Sequence, residues 1–170
     1  MNSINEPDAP APKHYFPNDR IMMKVKAVAS DAEAKNPVLI LTDSKEYIFL
    51  PVWIGAFEAK GITDALEGAI HPRPMTYDLF KSALQGMGRT VSEVEIYDLK
   101  DQTYFARLTL SDPAGVSTSL DARPSDAVAL ALGSGAEIFV NKHVAERACI
   151  PDKSKIHDES TRLGGPVPIE

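Results

Sequence analysis

The sequence predicts an α+β fold: two antiparallel meander-type sheet segments with about four helices packed on them, in a single compact domain. Three observations carry this. Short β-rich runs cluster in two groups, IMMKVKAVASD, PVLILTD and EYIFLPVWI early, then TVSEVEIYDL, TYFARLTLSD and VSTSLD. Each group is broken by polar, Pro- or Gly-containing turns. After each group the apolar spacing changes from strand-like to helical. A composition that is 44% hydrophobic and 25% charged over 170 residues suits one buried core rather than two.

Taken in order, the first helix follows Gly55, with Ala59, Ile62, Ala65, Leu66 and Ala69 at three- and four-residue steps. A second is expected over 76–87, its stripe formed by Leu79, Phe80, Ala83, Leu84 and Met87 and its end marked by Gly86 and Gly88. Pro124 opens AVALAL, an apolar helix buried on most sides and stopped by Gly133 and Gly135. The strand AEIFV and a helix near 142–148 close the domain. Residues 1–18, rich in proline and small polar residues, read as a disordered tail, 19–151 as the folded domain, and 152–170 as a second flexible tail.

Cys149 is the sole cysteine, which rules out an intramolecular disulfide and a Cys-rich zinc site. No stretch reaches the roughly 18 apolar residues of a membrane span, and no secretory-type run opens the chain, so a cytoplasmic protein without membrane partners is expected. A net charge of −6 disfavours tight nonspecific binding to nucleic acid. A local arginine patch, or a metal held by acidic residues, would still bring a phosphodiester to such a surface.

The candidate chemistry lies at two Arg-Pro helix starts. In HPRPMTYDLF, Pro72 and Pro74 hold the chain extended, and Thr76 is placed to cap the helix. Asp78 falls in its first turn, where the helix dipole favours a carboxylate, and Arg73 lies just ahead. In DARPSDAVALAL, Asp121 ends a strand, Arg123 precedes Pro124, and Ser125 and Asp126 begin a buried helix. Such a group suits a metal ion, a phosphate, or a closed network of its own members. Glu58 is the third acidic candidate, placed by helical spacing on the apolar face. Among the histidines, His71 adjoins the first Arg-Pro segment, and none forms a metal-ligand spacing with another.

LPVWIGAFEAKGI at 50–62, RPMTYDLF at 73–80 and DARPSDAVALAL at 121–132 together resemble the signature blocks of the bifunctional nuclease family, over roughly residues 21–150. The resemblance implies a compact α+β fold, self-association as a homodimer or higher homo-oligomer, and metal-assisted hydrolysis of DNA and RNA. Position by position it singles out Glu58, Arg73, Thr76, Asp78, Asp121, Arg123, Ser125 and Asp126. On this reading Asp78, Asp121, Asp126, Arg73 and Arg123 are catalytic, and Thr76, Ser125 and the two arginines bind substrate. Glu58, Asp78, Asp121 and Asp126 would hold Mg²⁺ or Mn²⁺. One position departs: Tyr77 stands where many relatives carry histidine, and a phenol with a pKa of about 10 is a poor proton acceptor at neutral pH. The alternative from another class is a noncatalytic anion-binding or regulatory module on the same fold.

Overall fold

The computed structural model describes residues 19–30 and 36–152; the two expected tails lie outside the described residues, apart from Asp152. The described elements are β1 (Arg20–Ser30), β2 (Pro37–Thr42), β3 (Ile48–Trp53), α1 (Ala56–Glu67), α2 (Thr76–Gly86), β4 (Thr90–Lys100), β5 (Thr103–Ser111) and β6 (Ser117–Ala122). They continue with α3 (Pro124–Ser134), β7 (Glu137–Asn141), α4 (Lys142–Ala148) and β8 (Ile150–Pro151). Both expected meanders are present, β1–β2–β3 and β4–β5–β6, and they belong to one sheet ordered β6-β5-β4-β7-β1-β2-β3-β8. The join is β7, which runs antiparallel to β1 and parallel to β4. The short run AEIFV thus occupies the middle of the sheet, where Ile138 and Val140 are buried.

Alternation decides which sheet face meets the helices. Leu39, Leu41, Ile48, Leu50, Val94, Ile96, Ala106 and Val140 are fully buried, with Leu108 and Leu110 nearly so. In β3 the intervening residues Phe49, Pro51 and Trp53 turn the other way, and Trp53 remains 59% exposed. Between β4 and β5 a two-residue turn places Asp101 and Gln102 at φ 47° and 62°. Positive φ at both central positions is what a type I′ hairpin requires, although neither residue is glycine.

Helix α3 is the central one. It packs on β4, β5 and β7 and touches both α1 and α2, so its residues from Pro124 to Ala131, apart from Asp126, are buried. It extends through Gly133, expected to break it, and ends at left-handed Gly135, φ 68°. Helix α2 lies outermost and buries only Leu84. Leu79 and Met87, expected on its core-facing stripe, are 64% and 68% exposed. The stripe exists; most of it meets solvent. Among the described residues no helix is long and apolar enough to cross a membrane.

Candidate functional site

Helices α1, α2 and α3 each carry an acid at the third helical position, Glu58, Asp78 and Asp126, where the unpaired N–H groups of a helix start favour negative charge. The three carboxylates have different fates. Asp78 folds back on its own helix and accepts a hydrogen bond from the Met75 N–H at 3.0 Å. Met75, not Thr76, is therefore the N-cap, and Thr76 stands exposed in the first turn. Asp126 turns instead to Arg123, the N-cap residue of α3, accepting from Nε at 2.7 Å and from Nη2 at 3.1 Å. Glu58 reaches the same guanidinium from α1, with Oε1 at 2.8 Å from Nη1.

Arg123 is thereby the hub of a network drawn from distant segments. Its fourth member is Tyr77, whose hydroxyl donates to Asp126 Oδ1 at 2.8 Å. Two glycines make room for this arrangement: a Cβ at Gly61 would run into the Tyr77 ring, and one at Gly55 into the Glu58 carboxylate. Burial, reinforced by the bond to Asp126, pushes the Tyr77 hydroxyl well above its ordinary pKa of 10.0. Tyr77 is therefore a fixed hydrogen-bond donor at neutral pH. The bond to Asp126, with Glu58 adding to it, raises Arg123 further above its already high pKa.

The guanidinium is paired but not enclosed, for the Arg123 side chain is 66% exposed. Of the five N–H bonds a guanidinium carries, those to Asp126 and Glu58 use three, which leaves two for another acceptor. Beside it, α3 has no side-chain cap, and its first intrahelical bond is donated by Ala127 to the Arg123 carbonyl at 3.0 Å. The N–H groups of Ser125 and Asp126 precede that bond and have no intrahelical acceptor. Two clefts flank the network. One, of about 460 Å³, is lined by Trp53, Gly55, Gln102, Tyr104, Arg123 and Ser125, among others. The other, of about 240 Å³, includes Asp64, His71, Tyr77, Asp78 and Lys81. There His71 Nε2 lies 3.0 Å from Asp64 Oδ2, a pairing that accounts for this loop histidine structurally.

Four of the residues singled out in the sequence therefore meet: Glu58, Arg123 and Asp126 in the network, and Ser125 in the adjoining cleft. The others stand apart. Asp78 caps α2, Arg73 is exposed without a side-chain partner among the described residues, and Asp121 is exposed on β6 opposite Arg107 of β5. No three His, Cys, Asp or Glu side chains gather to hold a metal among the described residues. The four-carboxylate set does not converge, and Glu58 and Asp126 are the two carboxylates that come together. Sequence reasoning did not single out Trp53, Gln102 or Tyr104, which share the larger cleft with Arg123. Gly61, inside an otherwise regular helix, was the readable sign of a close approach.

Residues 39–153 match the model of the bifunctional nuclease domain. The chain belongs to that family. An uncharacterized protein of Mycobacterium tuberculosis is 37% identical over 134 residues, 78% of this chain and 79% of that protein. Bifunctional nuclease 1 of Arabidopsis thaliana is 30% identical over 115 residues, 66% of this chain and 35% of the plant protein. Bifunctional nuclease 1 of rice, Oryza sativa subsp. japonica, is 26% identical over 117 residues, 68% and 35% respectively. The bifunctional nuclease domain is thus what this chain shares with the plant enzymes, about a third of whose length it spans. The matched segment contains the whole Glu58–Tyr77–Arg123–Asp126 network.

Proposed function

We propose that the chain is a nuclease that engages a phosphodiester of DNA or RNA at the start of α3 and hydrolyses it. The observation that carries this reading is the open guanidinium of Arg123 beside an uncapped helix start, at the mouth of a cleft. Two free Arg123 N–H bonds and the N–H groups of Ser125 and Asp126 are donors suited to phosphoryl oxygens. As charge builds on those oxygens, the same donors stabilise it without reorganising. Tyr77 keeps Asp126 in place, and Glu58 holds the guanidinium from the other side. Hydrolysis places the oxygen of water on phosphorus and its proton on the departing sugar oxygen. Arg73, Thr76, Asp78 and Asp121 have no part in this scheme.

One guanidinium against two carboxylates gives the cluster a formal charge of −1, which opposes an anionic substrate. Two carboxylates completed by phosphate oxygens and water form a donor set that suits Mg²⁺ or Mn²⁺. Glu58 and Asp126 would hold such an ion, which would supply the missing positive charge and lower the pKa of a bound water. A homodimer belongs to the proposal, since the exposed Leu79 and Phe80 of α2 and Met87 at its C-cap form the kind of apolar face that subunit contacts cover. The sedimentation mass reads that directly.

A second reading, a noncatalytic anion-binding module, is favoured by the pairing of Arg123 with two carboxylates and by a Tyr77 phenol that stays protonated. Incubation of purified protein with labelled single-stranded RNA and DNA, with and without Mg²⁺ or Mn²⁺, separates the two. The nuclease reading expects cleavage that falls on the order of 100-fold in Asp126→Asn. Binding without cleavage selects the noncatalytic module. Equal residual cleavage in wild type and variant assigns the activity to a contaminant and removes the nuclease reading.

A further inference from the structure

We propose that Trp53, with Tyr104 beside it, is a base-stacking platform that seats a nucleobase next to the phosphate held at Arg123. This rests on the phosphodiester reading above and adds a subsite to it. Trp53 ends β3 on the face turned away from the core, and it stays 59% exposed while its neighbour Val52 is 3% exposed. An indole left in solvent at the rim of a cleft contributes little to folding and offers a broad π surface to a ligand.

Its surroundings are built rather than incidental. The Tyr104 hydroxyl donates to the Pro51 carbonyl at 3.2 Å, which ties that ring to the strand bearing Trp53. Gln102, in the two-residue turn between β4 and β5, lines the same cleft and brings an amide to its edge. Ser125 supplies an independent sign of a ligand. It is only 5% exposed, lines this cleft, and its hydroxyl has no hydrogen-bond partner among the described residues. That oxygen is not sealed off from solvent, so it is open to an acceptor or donor that enters the cleft.

The dimensions suit a strand rather than a free ion. The cleft of about 460 Å³ adjoins a second of about 430 Å³ lined by Trp53, Leu99, Gln102 and Tyr104, so Trp53 stands where the two meet. Phosphate donors lie on one side of it, at Arg123 and Ser125, and apolar wall on the other, at Leu99. Bases paired and stacked in a duplex cannot reach an indole face, whereas unstacked bases of a single strand can. Stacking is tolerant of sequence, because every base has a π face. A platform of this kind would accept single strands of DNA and RNA alike.

Trp53 is the only tryptophan of the chain, so intrinsic fluorescence reports on this position alone. The test titrates the full chain with a short phosphorothioate-linked oligothymidylate in Mg²⁺, and in parallel with a duplex of equal length and with inorganic phosphate. The single strand should quench the emission to saturation, and the duplex and phosphate should not. Trp53→Ala should weaken single-strand binding by about 5- to 100-fold, the range of one lost stacking contact, while Trp53→Phe retains most of it. A single strand that binds without changing the emission, or that binds Trp53→Ala as tightly as wild type, overturns the platform and leaves the phosphodiester reading standing. Absence of any single-strand binding to wild type overturns both.

Discussion

The starts of α2 and α3 are written in nearly the same letters and do different things. Each has Arg-Pro, a small polar residue and an aspartate at the third helical position. In α2 Asp78 lies five positions after Arg73; in α3 Asp126 lies only three after Arg123. Three residues in a helical first turn bring a side chain within reach of its carboxylate, and Arg123 takes Asp126 in a fork. With Arg73 two residues before the N-cap, Asp78 has only the Met75 N–H to satisfy and closes the helix on itself. Placement does the rest. Helix α3 lies against the sheet between its neighbours, so Glu58 and Tyr77 reach its first turn, whereas Thr76 and Asp78 at the α2 start face solvent. A helix start becomes a site when its polar groups are left open and other elements crowd in.

The sharpest way to break this comparison is to remove each arginine in turn. Arg123→Ala should lower cleavage of labelled RNA on the order of 100- to 1,000-fold, as expected when a donor to a developing oxyanion is lost. Arg73→Ala should leave the rate unchanged. Equal losses at the two positions would erase the distinction. Glycine substitutions give opposite signs in α1, which faces Tyr77, and in α2. Gly61→Ala drives a methyl group into the Tyr77 ring, and overpacking of about 1–3 kcal/mol outweighs the ~1 kcal/mol that alanine gains over glycine within a helix. Thermal unfolding should therefore show a lower Tm. In a Tyr77→Ala background the same change should raise it. Gly86→Ala at the end of α2 meets nothing within 4 Å and should stabilise by about 0.5–1 kcal/mol.

Asp78→Ala should cost about 1 kcal/mol, the worth of a helix-start bond, with cleavage intact, which marks Asp78 as structural. The smallest effect is a pH dependence. Tyr77 has its folded pKa raised above 10.0, so its contribution is complete below pH 10 and is lost as pH rises beyond that value. The Tm advantage of wild type over Tyr77→Phe should be constant from neutral pH to about 10 and shrink above it.

Much of the fold was legible because alternation and helical spacing are local. The two meanders, the helix over 76–86 and the buried helix after Pro124 follow from residues that lie next to one another. What β7 pairs with was not legible, since the same five residues satisfy a central or an edge position, and only the assembled sheet chooses. The apolar stripe of α2 was read from its spacing, yet spacing says nothing of what covers it, and Leu79 and Met87 remain open. At the site, the Arg123–Asp126 spacing and the apolar-face position of Glu58 were readable signs. Asp78 and Asp121 carried the same chemical letters without the neighbours to make them part of it. Trp53 went unassigned because an apolar segment such as WIGAF serves a core and a surface equally well.

The central claim is a location, and amide chemical shifts report location. A titration of isotope-labelled protein with a phosphorothioate-linked single strand should move the backbone N–H resonances of Ser125 and Asp126 and the side-chain Nε–H of Arg123, leaving the Thr76 and Asp78 amides where they were. Shifts confined to the α2 start, or none at the α3 start with the strand bound, would contradict the account.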